Sequence, residues 1–209
     1  MDCPQRRERE MGLTIYGIPQ SRALRVLWLA KELGIEYKNV PVTNTGGSRE
    51  PDFLKINPNG HIPAIEDDGV VLCESLAINL YLSKKYGGDL QPKNIADEGR
   101  ALQWSFWAVT EAEGPALTLL MKRMNPATPD ADVAAAGVKL GAALKVLDGA
   151  LAGKDYLLGS SFSIADLNVA SVLAWLQMAK FDLAPYPNAG AWLGRCLGRP
   201  AFAAARGGK

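Results

Sequence analysis

The chain has 209 residues, 48% hydrophobic and 22% charged, with 23 Lys and Arg against 22 Asp and Glu. These are the proportions of an ordinary globular protein, and a net charge of +1 gives no electrostatic reason to expect a nucleic-acid partner. Three widely spaced cysteines (Cys3, Cys73, Cys196) and one histidine, His61, exclude C-x-x-C redox chemistry and Cys/His-rich metal sites, so no metal is expected. The chain begins MDCPQRREREM. This stretch is polar and lacks the apolar segment of a secretory leader, so residues 1–12 read as a flexible, solvated arm, with Met11 as a candidate natural start. No apolar run approaches the roughly 18 residues a spanning helix needs, and a cytoplasmic protein without membrane contact is expected.

Residues 13–86 alternate between strand and helix patterns. Leu13 to Tyr16 is a short β-rich run. Leu24, Leu27, Trp28 and Ala30 recur at helical spacing between Ser21 and Leu33, and Gly34 supplies the stop. Tyr37 to Val42 reads as a second strand, and a short helix is expected around Pro51 to Ile56. Ile62 to Ile65 and Val70 to Cys73 flank Asp67-Asp68-Gly69, a hairpin signal. Leu76, Ile78, Leu80 and Tyr81 mark a third helix ending near Gly87-Gly88. The predicted order, βαβαββα, is an α/β unit with a mixed sheet.

Residues 87–95 are rich in Gly, Pro and Asp and read as a linker. Residues 96–209 are rich in Ala and Leu without a convincing strand, so an all-helical second domain is expected. One helix start there is well marked. Ser163 and Asp166 form a capping box, preceded by Phe162 as a candidate staple onto Leu167.

Three segments of the first half carry chemistry. Tyr16-Gly-Ile-Pro-Gln-Ser-Arg22 joins a strand end to a helix start, where free N–H groups favour an anion. Ser21 there is either a plain N-cap or a hydroxyl donor to a bound thiolate, aided by Arg22. In Asn57-Pro-Asn-Gly-His-Ile-Pro-Ala64, Pro63 suits a cis peptide that would turn the Ile62 backbone toward a bound peptide, or a plain proline turn. Cys73-Glu-Ser75 leads a strand into a helix: Ser75 suits a carboxylate and Glu74 an ammonium, as in an α-amino acid head group. Cys73 itself reads as a small apolar residue rather than a nucleophile.

These segments, in this order and before an Ala/Leu-rich helical half, resemble the cytosolic glutathione transferase superfamily from Leu13 to about Phe202. The run Ser21-Arg-Ala-Leu-Arg-Val-Leu-Trp28 is similar to bacterial and fungal members with a serine-type N-terminal motif. The resemblance implies a thioredoxin-like first domain, a helical second domain and a homodimer. It implies a transferase that activates glutathione, as co-substrate with no further cofactor, for attack on small hydrophobic electrophiles, in detoxification. A glutathione-dependent peroxidase or disulfide reductase and a non-catalytic binding or regulatory protein are the alternatives on the same fold. Glu74 and Ser75 would hold the γ-glutamyl head. Ile62, before Pro63, would pair with the cysteinyl part, and Arg49 would meet the glycine carboxylate. His61 would contact that same end or stand as a surface residue. Ser21 falls where phi-class members carry their catalytic serine, while Tyr16 lies near the position of the catalytic tyrosine in other classes; a backbone or other group is the third candidate. Trp104, Trp107 and Glu111, with Tyr16, are the candidate walls of an electrophile pocket.

Overall fold

The computed structural model describes residues 12–207; the expected arm through Met11, and the candidate start within it, lie outside the described residues. Buried Leu13 and Ile15 alternate with half-buried Thr14 and Tyr16, so β1 (Leu13–Tyr16) presents two different faces. Helix α1 (Ala23–Leu33) ends on Gly34 in the left-handed region, whose N–H bonds the Ala30 and Lys31 carbonyls. It carries the chain over to β2 (Tyr37–Val40), parallel to β1. After a 3₁₀ turn at Gly47–Arg49, helix α2 (Pro51–Leu54) precedes β3 (Ala64–Asp67) and β4 (Val70–Cys73). The four strands lie in the order β2-β1-β3-β4, with β3 antiparallel to both neighbours.

Strand β3 begins two residues later than expected from Ile62, because Pro63 lacks the N–H a ladder needs. It also runs two residues further. Asp67 pairs with Val70, leaving Asp68 (φ 48°) and Gly69 (φ 87°) as a two-residue turn of the primed type that matches strand twist. Helix α3 (Ser75–Tyr86) closes the α/β half.

The helical half begins at Asn94, whose side chain accepts from Asp97 N–H to cap α4 (Ile95–Trp107). Residues Ala108–Glu113 then form a wide π turn before α5 (Gly114–Met124). Helical periodicity does not predict this turn, but Pro115 accounts for it. In an unbroken helix its ring would press on the Glu111 carbonyl and leave it without a donor, and an i→i+5 turn removes the conflict. Helices α6 (Asp130–Ala150), α7 (Ile164–Leu173), α8 (Trp175–Ala179), α9 (Pro187–Leu197) and α10 (Pro200–Ala205) complete it. At the start of α7 the capping box is formed, and the buried Asp166 carboxylate also accepts from Leu157 N–H (2.8 Å) and Trp192 Nε1 (2.9 Å).

One core runs through both halves, joining Ile15, Trp28 and Ile65 to Leu144, Leu167 and Trp192. Trp28 of α1 meets Phe202 of α10 edge-on at 4.8 Å and Phe162 at 6.0 Å. Beside it, Glu32 accepts from Arg199 Nε at 2.7 Å and Nη2 at 2.8 Å, and from Trp28 Nε1 at 2.9 Å. A buried chain of amides crosses the same boundary: Asn79 of α3 donates to Asn168 of α7, which donates to Ser105 of α4. A smaller cluster of Val42, Phe53, Ile62 and Ala64 lies between the sheet and α2. No helix among the described residues is long and apolar enough to cross a membrane.

Candidate active site

Strand register gathers the three segments singled out above. Tyr16 pairs with Ala64, and Ala64 pairs with Cys73, so one row of the sheet ends in the 17–22 turn, the Ile62 loop and the Glu74-Ser75 junction. The turn sits tightly against what surrounds it. Gly17 has φ +139°, and a Cβ there would stand 2.5 Å from Ala23 Cβ and 3.5 Å from Ile62 Cβ, so only glycine fits.

Ser21 is half-buried at the mouth of α1. Its hydroxyl donates to the Ile18 carbonyl at 2.7 Å and accepts from Ala23 N–H at 3.1 Å. The hydroxyl thus satisfies the first N–H of α1 from one residue ahead of the N-cap, which is Arg22. The donor reading is compatible with it, because a thiolate at this spot would compete with a neutral carbonyl for the single proton, and charge-assisted bonds are roughly twice as strong.

The Ile62–Pro63 peptide is cis, and Ile62 is buried beside the turn. Asn57 shapes this loop, donating to the His61 carbonyl at 2.7 Å and accepting from Asn59 N–H at 3.1 Å. Arg49 is exposed and donates to the Asn59 carbonyl at 3.2 Å, next to Gly60, where a Cβ would fall 2.6 Å from the guanidinium. His61 is exposed on the same loop. Glu74 is exposed with φ +69°, a conformation that costs a non-glycine residue of order 1 kcal/mol or more and that projects the chain into α3. Ser75 follows it, buried at the head of that helix.

Ser75 leads to residues that sequence reasoning missed. Arg25, one turn beyond Ser21, is 3% exposed; its Nη1 donates to Ser75 Oγ at 3.2 Å and its Nη2 to Glu113 Oε1 at 3.0 Å. Arg22 Nε donates to the same Glu113 oxygen, and both guanidinium groups lie 5.1 Å from the centre of the Trp175 ring. Burial alone would raise the Glu113 carboxyl, but Arg25 and Arg22 outweigh it and hold the group below its usual range. Burial lowers Arg25, opposed chiefly by Glu113. The sequence held two signals for this cluster. Arg25 is the one charged residue in the otherwise apolar run 23–30 of α1, and Pro115 marks a helix that cannot stay regular around Glu113.

The expected electrophile-pocket residues lie in different surroundings. Trp104 belongs to the main core, in edge contact with Trp107 at 5.1 Å, and Glu111 is exposed. The π turn shifts the register of the helix, so that Glu113 rather than Glu111 reaches the start of α1. Tyr16, the remaining expected wall, already has partners of its own. It lies on the α2 side of the sheet with its ring 6.1 Å from Phe53, and its hydroxyl donates to Glu66. Burial first, then that carboxylate, pushes the phenol far above its ordinary value, so it keeps its proton.

Residues 11–84 match the family description "Glutathione S-transferase, N-terminal domain" and residues 110–200 match "Glutathione S-transferase, C-terminal domain". The chain belongs to the glutathione S-transferase family. It is 35% identical to glutathione S-transferase 3 of Zea mays, with 91% of each chain covered. To a glutathione S-transferase of Hyoscyamus muticus it is 32% identical, over 93% of this chain and 98% of the relative. Among solved structures, a theta-class glutathione S-transferase of Xanthomonas axonopodis pv. citri with glutathione bound superposes with a TM-score of 0.85. The two are 30% identical, with 93% of this chain and 97% of that one covered. The fold is accordingly the thioredoxin-like domain followed by a helical domain that characterises these structures.

Proposed function

We propose that the chain is a glutathione transferase: it ionises the glutathione thiol at the mouth of α1 and directs it at small hydrophobic electrophiles. The observation that carries this reading is the shared sheet end, where Ser21, Ile62 and the Glu74-Ser75 pair converge. In it Glu74 takes the γ-glutamyl ammonium, Ser75 its carboxylate, the Ile62 backbone the cysteinyl amide, and Arg49 with His61 the glycine end. Ser21, as the serine-type motif of bacterial and fungal relatives, donates to the sulfur.

The energetic demand is small. A thiol of pKa about 8.5 is only a few per cent ionised at neutral pH, and lowering it by roughly two units takes about 2.7 kcal/mol. One hydroxyl donor to a charged acceptor supplies roughly 1.5 to 3 kcal/mol, and a helix N-terminus adds up to about 1. Glutathione is then a co-substrate, and no metal is needed for its thiol to ionise. The electrophile would enter over Trp175 and Arg22. The two halves of the chain, residues 13–86 and 96–209 about the 87–95 linker, act as glutathione-binding and electrophile-binding domains. Val70 and Val71 on the edge strand, Ile95, Leu102 and Phe106 on α4, and Val109 in the π turn are exposed apolar residues that a second copy would cover in a homodimer. The cytoplasm, rich in glutathione and reducing toward thiols, is the fitting compartment.

Calorimetry with glutathione and the ultraviolet band of its thiolate test the site, and a panel of an aryl halide, cumene hydroperoxide and a mixed disulfide tests the reaction. Saturable binding, a thiolate band and conjugation of the aryl halide are expected. Absence of glutathione binding would overturn the reading. Turnover confined to the peroxide or the disulfide would replace transferase by peroxidase or reductase, and binding without any turnover would leave a non-catalytic module.

A further inference from the structure

We infer that Glu113 is a positioning residue for the substrate head group. Carried to α1 by the π turn, it holds Arg25 so that the Ser75 hydroxyl keeps its own proton for the α-carboxylate of the γ-glutamyl unit. The inference rests on the glutathione reading above and goes beyond it, because Glu113 touches no substrate atom and lies in the other half of the chain.

The hydrogen-bond directions carry the argument. A guanidinium only donates, so the 3.2 Å bond from Arg25 Nη1 uses a lone pair of Ser75 Oγ and leaves the hydroxyl proton unspent. Ser75 Oγ donates to no described group. An oxygen that accepts from a cation is polarised into a better donor, and the Ser75 N–H at the head of α3 has no helical partner either. Ser75 thus offers two donors suited to a carboxylate.

That arrangement depends on Arg25 staying where it is. Arg25 is buried with only 3% of its side chain exposed, and its carboxylate partner is Glu113, itself 12% exposed. The charged groups facing Glu113 are Arg22 and Arg25. The other carboxylate acting on Arg25 is Glu74, the residue assigned to the substrate ammonium. Removing the Glu113 charge therefore does two things at once: it frees Arg25 from Ser75, and it turns Arg25 toward Glu74. Both effects fall on head-group recognition. The Ser21 hydroxyl, bonded to Ile18 and Ala23, is untouched.

The test compares glutathione with γ-aminobutyryl-cysteinylglycine, which lacks only the α-carboxylate, in steady-state turnover of an aryl halide by the full chain. Loss of a charge-assisted bond predicts that the wild-type chain prefers glutathione by roughly 10- to 100-fold in kcat/KM. Glu113→Gln should shrink that preference about tenfold through KM for glutathione, with kcat within about twofold and the pH profile of kcat unmoved. Glu113→Asp, which keeps the charge, should recover part of the preference. If Glu113→Gln does not fold, Glu113→Asp carries the comparison by a smaller loss of preference, again confined to KM. In the Ser75→Ala background Glu113→Gln should add less than about twofold. A preference unchanged in both Glu113 variants, or equal losses on the two thiols, would overturn the inference while leaving the glutathione reading intact. A wild-type chain that binds glutathione in neither calorimetry nor turnover would overturn both.

Discussion

Two hydroxyls at the end of the same strand region behave in opposite ways, and the difference lies in what each one faces. Ser21 is half-exposed at a helix mouth and gives its proton to a neutral carbonyl, so an anion can take it over. Tyr16 is locked onto a carboxylate, with burial and Glu66 both opposing its ionisation. Ser21→Ala should therefore raise the pKa of the bound thiol by one to two units. The rising limb of kcat/KM against pH then moves to higher pH, and the rate at neutral pH falls roughly 10- to 100-fold. A parallel loss of about 1 kcal/mol in stability is expected, because Ala23 N–H loses its cap. Tyr16→Phe should leave kcat/KM within about twofold and cost about 1–2 kcal/mol in urea unfolding, since the partly buried Glu66 carboxylate loses a donor. A tenfold fall in rate for that variant would place the Tyr16 hydroxyl in the site. At this scale the local chemistry was legible in the sequence. Caps, the Ile62-Pro63 turn and the Glu74-Ser75 junction are decided by neighbours in the chain, whereas Arg25 and Glu113 meet across 88 residues and leave only indirect marks.

The helices and strands follow their periodicity closely, and the departures have local causes. Strand β3 waits for Pro63 to pass, and α4 gives way to a π turn ahead of Pro115. Spacing alone put Trp104, Trp107 and Glu111 on one helical face, and a single wide turn was enough to substitute Glu113 for Glu111. That substitution could not be read from apolar spacing, because the π turn changes the angle per residue without changing composition. The start of α7 shows the reverse case, a boundary fully determined by its own residues. Ser163→Ala removes the cap from N3 and one of four donors to Asp166, and should lower the urea midpoint by an amount equivalent to about 1–2 kcal/mol with the slope unchanged. Kinetic constants should stay within about twofold, since α7 lies behind the site rather than in it.

Across the whole molecule the sequence suggests two units and a linker, while the packing makes them share one interior. Trp28 contacts Phe162 and Phe202, and Glu32 is 6% exposed with its paired guanidinium 32% exposed. Arg199→Ala would leave a buried carboxylate with only the Trp28 N–H, at a cost of about 2–3 kcal/mol, less than a fully buried pair because Arg199 is partly solvated. Thermal unfolding should remain a single transition with a lowered midpoint. Two separate transitions would show that the halves unfold independently.

The shared interior also bears on how relatives of this chain can be recombined. Helix α1 belongs to the first half by sequence, yet its inner face is completed by α10 from the far end of the second. A chimera joined at residues 87–95 would set a foreign α1 against a native α10, losing the Glu32–Arg199 pair and the Trp28 cluster unless the donor supplied both. A recombinant that preserves the fold must therefore exchange α1 and α10 together, although they stand far apart in the chain.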